Sequence, residues 1–367
     1  MKLALRELVR RPGRFVTATA ILTLIAILLM FLGSLLDGLI RSSTGAVRAQ
    51  NADALVFSES SQASFLRSRI EPGLAATLEQ DLGADVGGLG VVQLGARVPG
   101  NGPRDLANVA LWGYELAPDG VPEPPEPGEV WADETLRADG VEIGHELLLG
   151  SARTAVTVVG WVEDTSYNGQ GSLWADVETW RNVLNTNRPD AALADGVFQS
   201  LVVRSGELGA DTTAAVVAVA GPDYIALTVS QAIDEIPGVT EQQTTFNQIL
   251  GVTVAIAFVV IALFFALLTV ERTALYGVLK AIGARSRTIF AGLVGQAVVV
   301  TLVAATIAGA AVLLLDLAIP PGSIPLYVSA SRIVTSIVLL LVAAVLGCAF
   351  SLRRVLRVDP ASALGSS

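Results

Sequence analysis

The sequence predicts an α-helical membrane protein with four transmembrane helices plus an α+β extracytoplasmic domain inserted between the first and the second. Three observations predict it. The 367 residues are 52% hydrophobic and only 16% charged, with a mean hydropathy of +0.59, too apolar for an ordinary soluble chain. The apolar excess is concentrated in four runs free of charge: Phe15 to Leu36, Ile249 to Val270, Leu293 to Leu315 and Ile333 to Leu352. Between the first and second runs lies a polar stretch of about 200 residues, long enough to bury its own core.

Each run meets the requirement of about 20 apolar residues for a helix that crosses hydrocarbon, where no water satisfies a bare peptide group. Four such runs in one chain are not expected of buried helices in a soluble core. The first follows a basic start, as a signal peptide would. Its apolar length exceeds the roughly 7–15 residues of a signal core, and no small-x-small cleavage site closes it before Asp37, so an uncleaved span is expected.

Lys and Arg in the short flanks set the expected orientation. Residues 1–14, 271–288 and the tail from 353 together hold 12 basic and 3 acidic residues, and all three lie on one side of the membrane if four spans are drawn. That side is the cytoplasmic one. The expected order is a cytoplasmic amphipathic helix over 1–14, stopped by Pro12-Gly13, and a first span over 15–40. The extracytoplasmic domain over 41–246 and a second span over 247–270 follow. A cytoplasmic loop over 271–289 leads to a third span over 290–315, an external loop over 316–332, a fourth span over 333–352 and a cytoplasmic tail over 353–367. Only two Lys against 22 Arg hint at a GC-rich bacterium and at nothing further; a multi-pass protein of the bacterial plasma (inner) membrane is expected.

Inside residues 41–246, strand-like runs occur at 52–60, 88–98, 106–116, 154–164 and 200–206. Helices are expected over Gln62–Leu82, Asp133–Ala138, Asp176–Leu184 and Gly209–Val219. The absence of a regular βα alternation favours α+β over a doubly wound sheet. The Pro-rich stretch Ala117–Val130 reads as a stiff connector or an exposed loop. With 11 Arg, no Lys and 29 acidic residues this segment is strongly acidic, which argues against nucleic acid or anionic lipid as its partner. A solvated acidic surface explains the charge equally well. The one cysteine, Cys348, falls in the fourth run, so no disulfide framework is expected outside.

Several chemistries find no support. There is no GxxxxGK[ST] phosphate loop, so the chain has no visible means of splitting ATP. His145 is the only histidine, which leaves neither a His cluster for a metal nor a Ser-His-Asp arrangement, and no cofactor or metal site is expected in this chain. No ionisable group interrupts the four runs, and Asp37, Asp316 and Arg332 lie at span ends within reach of water, which disfavours an ion-coupled transporter.

The loop between the second and third runs, ERTALYGVLKAIGARSRTIF over Glu271–Phe290, carries the most information. Leu275, Val278, Leu279 and Ile282 fall at i, i+3, i+4 and i+7, one apolar stripe on a helix of about three turns. Gly283 is placed to end that helix, and Arg285 and Arg287 supply cations near its negative end. Such a helix either packs on the membrane surface and the adjoining spans or docks a cytoplasmic partner.

These residues resemble the signature of the FtsX-like, MacB-type ABC transporter permeases, roughly ER…EIGVLKAIGA…I. The matches are Glu271, Arg272, Gly277, Val278, Leu279, Lys280, Ala281, Ile282, Gly283, Ala284 and Ile289. The tail RRVLRVDPASAL, with Asp359, Pro360, Ala361, Ala363 and Leu364, is similar to the family's terminal motif. The segment from Gly128 to Trp180 and the order of one span, outer domain and three spans also agree, with the DevC-like branch nearest. Leu275 and Tyr276 stand where the family commonly has an acidic and an apolar residue.

The resemblance implies a permease dimer in membrane lipid, each chain carrying a separate ABC ATP-binding subunit that holds ATP and Mg. It implies that Glu271, Arg272, Leu275, Val278, Leu279, Lys280, Ile282, Gly283, Arg285 and Arg287 form the ATPase-coupling segment. The chain itself would be a non-catalytic subunit that moves an outer domain by mechanotransmission, for export or extraction at the outer face. A regulator of an extracellular partner such as a cell-wall hydrolase, and a membrane sensor, are the alternatives. An outer segment of about 200 residues leans toward transport, since division-type regulators of the family carry a smaller one.

Overall fold

A computed structural model describes residues 12–102, 104–206, 211–271, 282, 286–319 and 324–355. The chain divides into two compact units. One comprises residues 1–37, 244–318 and 326–367, the other residues 38–243 and 319–325.

The first unit is helical. Helix α1 runs Pro12–Arg48, and its starting proline loses nothing, because the first turn has no intrahelical partner for that N–H. The segment before it, read as an amphipathic helix, lies outside the described residues. At 37 residues α1 is about 55 Å long, well beyond the roughly 30 Å of a hydrocarbon core. The uncharged run ends at Leu36, and the last turns, from Asp37 to Arg48, carry Asp37, Arg41 and Arg48. Three further helices are long and apolar enough to span: α6 (Val239–Glu271), α7 (Ser286–Ala318) and α8 (Ala330–Val355).

Their packing is that of a membrane bundle. Ile261 and Phe265 on α6, Ala297, Val300 and Ala304 on α7, and Ala343, Ala344 and Cys348 on α8 share one core with Leu22 of α1. Small residues let the backbones approach: a Cβ at Gly347 would lie 3.1 Å from Ala262 N and Phe258 O, so α8 meets α6 almost backbone to backbone. The opposite faces are bare hydrocarbon. On α6, Ile249, Val252, Ile256, Val259, Leu263, Leu267 and Val270 follow one another three or four residues apart and are all exposed. A stripe of that length is stable only against lipid or another apolar surface. Thr253 and Thr306 return their hydroxyls to the carbonyls one turn back, which removes the cost of a polar atom there.

The second unit is the inserted domain. Its strands are β1 (Ala54–Ser58), β2 (Asp85–Arg97), β3 (Leu106–Tyr114), β4 (Glu129–Asp133), β5 (Glu146–Leu149), β6 (Thr154–Val162), β7 (Gly171–Ala175), β8 (Ser200–Arg204) and β9 (Tyr224–Leu227). Helices α2 (Leu74–Leu82), α3 (Val177–Asn187), α4 (Thr212–Ala220) and α5 (Val229–Asp234) pack around them. All nine strands form one sheet, ordered β3-β7-β4-β6-β5-β2-β8-β1-β9, and β3 also pairs with β2. That extra pairing closes β2, β3, β7, β4, β6 and β5 into a six-stranded barrel and leaves β8, β1 and β9 as an antiparallel side sheet.

Strand β2 belongs to both parts. Its first five residues pair with Arg204 to Ser200 of β8, Leu89–Arg97 pair with Tyr114 to Leu106 of β3, and Ala96 and Arg97 complete the barrel against Leu149 and Leu148. The period-2 alternation of strands divides the apolar side chains between two cores. Val92, Val109, Leu111, Val130, Leu147, Val156, Val158 and Leu173 face one core, which fills the barrel. Leu89, Val91, Trp112, Tyr114 and Trp174 face the other, on the barrel's outer wall, with Phe57 and Phe65. Trp180 of α3 seals part of the barrel: a Cβ at Gly90 would fall 1.9 Å from its ring, so only glycine lets the indole lie flat on β2. Asp176 sets α3 in place as its N-cap, accepting from Glu178 N and Thr179 N at 2.8 and 3.0 Å.

Some local expectations shift. Of Gln62–Leu82 only Leu74–Leu82 is α-helical: Gln62 and Ala63 have positive φ, and Pro72-Gly73 delays the start. Asp133–Ala138 becomes a 3-10 turn over Glu134–Asp139 capped by Asp133. The Pro-rich connector is pinned at its middle, where Val121 is buried, Tyr114 Oη donates to Pro122 O at 2.7 Å and Trp131 Nε1 donates to Glu123 O at 3.2 Å.

Candidate functional site

Two regions carry the functional argument: the last turns of α1, and the segment joining α6 to α7. The last turns of α1 are locked to the loop between β6 and β7. Arg41 Nη2 and Arg48 Nη2 reach opposite oxygens of Asp164 at 2.5 and 2.6 Å, and Arg41 Nε donates to both. Backbone bonds add to the lock: Ala46 N donates to Ser166 O at 3.1 Å, Asn168 N to Ser43 O at 3.0 Å and Gly169 N to Ser42 O at 3.1 Å. The approach needs glycine at position 45. A Cβ there would lie 2.7 Å from Asp164 O and 2.8 Å from Ser166 O, backbone atoms that cannot turn aside.

The loop is itself held from below. Asp133, at the end of β4 and fully buried, accepts from Thr165 N at 2.8 Å, Thr165 Oγ1 at 2.7 Å, Ser166 Oγ at 3.2 Å and Thr135 N at 3.0 Å. A buried carboxylate with this many donors is compensated for its lost hydration. Tyr167 then slots into the outer-wall core against Trp112, ring centroids 5.0 Å apart, and burial pushes its hydroxyl up to about 12. The end of α1 thus contacts a rigid loop, which the barrel supports through β4.

In the helical unit, Arg332 in the first turn of α8 pairs with Asp37 of α1 through both Nε and Nη2, the Nε bond being 2.8 Å. Tyr327 N donates to Ser34 O at 3.1 Å beside it. A Cβ at Gly33 would fall 2.6 Å from Arg332 Cδ, so the side chain crosses α1 at a glycine. The sequence places Asp37 and Arg332 at span ends within reach of water; each side chain is 23% exposed and its charge is spent on the other.

Of the residues expected to couple to an ATPase, Glu271 is the last residue of α6, Ile282 stands in a turn with 78% of its surface exposed, and Arg287 lies in the first turn of α7. Arg272, Leu275, Val278, Leu279, Lys280, Gly283 and Arg285 lie outside the described residues, and so does the stripe they were expected to form. Their position in the chain, between the two longest uninterrupted helices after α1, makes them the link between two spans. His145 serves its own turn, Nδ1 accepting from Glu142 N at 3.2 Å. Among the described residues no group of three His, Cys, Asp or Glu is placed to hold a metal.

Four helices long and apolar enough to span, with one domain inserted after the first, describe a multi-pass membrane protein. The chain carries the FtsX-like permease C-terminal domain, whose family model matches residues 247–360. It is similar to a hemin transport system permease protein HrtB of Staphylococcus haemolyticus, 30% identical over 132 residues, 36% of this chain and 37% of that one. A second HrtB, from Staphylococcus epidermidis, is 20% identical over 365 residues, 100% of this chain and 99% of the relative. Among solved structures, the extracellular domain of the noncanonic ABC-type transporter YknZ from Gram-positive bacteria aligns at 13% identity with a TM-score of 0.32, over 47% of this chain and 98% of that one.

Proposed function

We propose that this chain is the permease subunit that couples ATP hydrolysis on a separate ATP-binding subunit to movement of the inserted domain, driving export or extraction at the outer membrane face. The observation that carries it is the continuity of α1: one helix holds the first membrane run, and its last turns are fixed to the β6–β7 loop by Asp164 and Gly45. A helix with a firm grip at one end transmits a tilt or rotation instead of absorbing it.

In this reading Glu271 to Arg287 receive the ATPase stroke, with ATP and Mg bound by the partner. Two permease chains pair through lipid-facing stripes such as that of α6, and the N-terminus, the 271–289 segment and the C-terminus are cytoplasmic. The apolar spans offer no polar path for a substrate, which favours mechanical work outside over passage through the bundle. The names of the staphylococcal relatives make hemin the first substrate to assay.

The test is affinity purification of the tagged chain from its native membrane in mild detergent, with identification of co-purifying chains and an ATP hydrolysis assay. A stoichiometric ATP-binding subunit with vanadate-sensitive turnover is expected. A clean preparation of this chain alone, without turnover, would replace the coupling scheme with a sensor or scaffold.

A further inference from the structure

The inserted domain has an open strand edge. Closure of the barrel gives β3 a neighbour on each side, so among the described residues β9 is the one strand of the sheet that is paired on one side only. The phase of its pairing shows which backbone groups face outward. Glu59 N donates to Asp223 O at 2.8 Å, and Phe57 and Leu55 lie opposite Ile225 and Leu227 in the same register, so residues 223, 225 and 227 exchange hydrogen bonds with β1. Tyr224 and Ala226 turn theirs away from it. Ser58, opposite Tyr224, agrees with this phase, because its N–H goes to Ser68 Oγ at 2.9 Å and not to β9. Tyr224 N closes a turn on Gly221 O at 3.4 Å, whereas Tyr224 C=O and both backbone groups of Ala226 find no partner among the described residues.

Helices α4 and α5 lie over the two faces of β9. Tyr224 and Ala226 pack in one core with Val216 and Val219 of α4, and Ile225 and Leu227 pack in the other with Ala232 and Ile233 of α5. The edge runs between them. Open edges usually carry a Pro, a Lys, a bulge or an inward charge that deters pairing with another chain. Tyr224–Leu227 has none of these, and its register is unbroken, so its shortness is its only guard.

We propose that the β9 edge pairs with the β9 edge of a second copy of this chain, antiparallel about a two-fold axis at Ala226. The proposal rests on the paired permease chains inferred above. Antiparallel pairing is the arrangement in which a strand can meet itself, and centred on Ala226 it lets each Ala226 N–H donate to the other copy's Ala226 C=O. Tyr224 C=O then faces the other copy's Thr228 N, which in the single chain bonds Gln231 Oε1 at 2.9 Å. Charge selects the same place. Residues 41–246 carry 29 acidic groups against 11 Arg and repel their own kind, and β9 is an uncharged stretch of that surface. Asp223, the acid that precedes it, stands three residues from the axis, so the two copies of Asp223 would be about 20 Å apart, about two Debye lengths at physiological salt.

The test is double electron–electron resonance on the full chain in mild detergent, spin-labelled at Asp223→Cys in a Cys348→Ala background, with the mass measured in parallel by light scattering. One label per chain makes any distance intermolecular. A narrow distribution at about 20–30 Å is expected. Ala226→Pro should abolish it and Ala226→Val should keep it, since proline here removes only an N–H that points away from β1, a loss that edge strands tolerate. A dimer mass without a distance in that range, or a distance that Ala226→Pro leaves unchanged, overturns the β9 pairing and leaves the paired chains joined elsewhere. A monomer mass overturns both. If proline lowers the folded fraction, the distance in the labelled parent decides alone.

Discussion

Arg48 on the last turn of α1 and Asp164 in the β6–β7 loop, 116 residues apart in sequence, meet at 2.6 Å, with Arg41 on the other carboxylate oxygen. All three side chains are more than a third exposed, so the pairs contribute little to global stability, under about 1 kcal/mol each. Their value is geometric: two cations one α-helical surface apart fix both the rotation and the axial position of the helix end. Asp164→Asn should shift the melting temperature by no more than about 3 °C while raising hydrogen exchange at the amides of Ser42 to Arg48. Unchanged exchange there would mean that the backbone contacts alone hold the junction.

Gly45 tests the same junction from the steric side. Gly45→Leu forces a branched side chain against Asp164 O and Ser166 O, and a loss of about 1–3 kcal/mol is expected in chemical unfolding. Gly13, with nothing within 4 Å of a Cβ, is the control: Gly13→Ala should be neutral or stabilising.

The proposed coupling role of the segment between α6 and α7 is tested by Leu279→Asp and Ile282→Asp, which put a charge where an apolar contact to the partner is proposed. Co-purification of an ATP-binding subunit and ATP turnover should both fall, whereas the folded fraction of the permease is unchanged. Survival of both activities in both variants removes the docking role.

A pH dependence follows from Glu134. Burial first, and the Glu163 charge second, raise its carboxyl above the ordinary value, with Arg137 opposing. The folded state therefore holds the proton more tightly than the unfolded chain does. The contribution of this group to stability is full below its unfolded value and is lost as pH rises through the folded one. Glu134→Gln should melt higher than the parent protein at pH 7, with the gap closing near pH 4; a constant gap across that range would contradict the assignment.

Tyr167 offers an optical test. Its hydroxyl is pushed up to about 12 by burial between Trp112 and Phe65. In an alkaline absorbance titration, Tyr167→Phe should remove part of the tyrosinate rise near pH 12 and leave the rise around pH 10 intact.

How far the fold was legible depended on element length. The apolar runs stood out because 20 or more uncharged residues have no soluble explanation, and β1, β2, β3, β6 and β8 were readable from apolar runs between turn signals. Strands β4, β5, β7 and β9 were not; at four or five residues each they are as short as β1 and β8, and alternation has no room to register in any of them. Gly171–Ala175 shows a second obstacle, since all five residues are buried and no polar face marks the period. The junction was illegible for another reason. Arg41, Arg48, Asp164, Asp37 and Arg332 are ordinary surface charges in a linear sequence, and only the fold brings partners 116 to 295 residues apart together. Glycines 33 and 45 carried the one hint, a small residue within four of a charge, but small residues are common in spans and the hint had no address.

The first and last strands of the inserted domain, β1 and β9, are neighbours, with Leu55 opposite Leu227. Directly paired residues are only about 5 Å apart, so the place where the chain arrives from α1 and the place where it departs toward α5 and α6 nearly coincide. A domain whose first and last strands lie side by side can be lengthened or trimmed in its intervening loops without moving the points where the chain enters and leaves it. Evolution can thus vary the strands of the inserted domain while the apolar helices stay as they are.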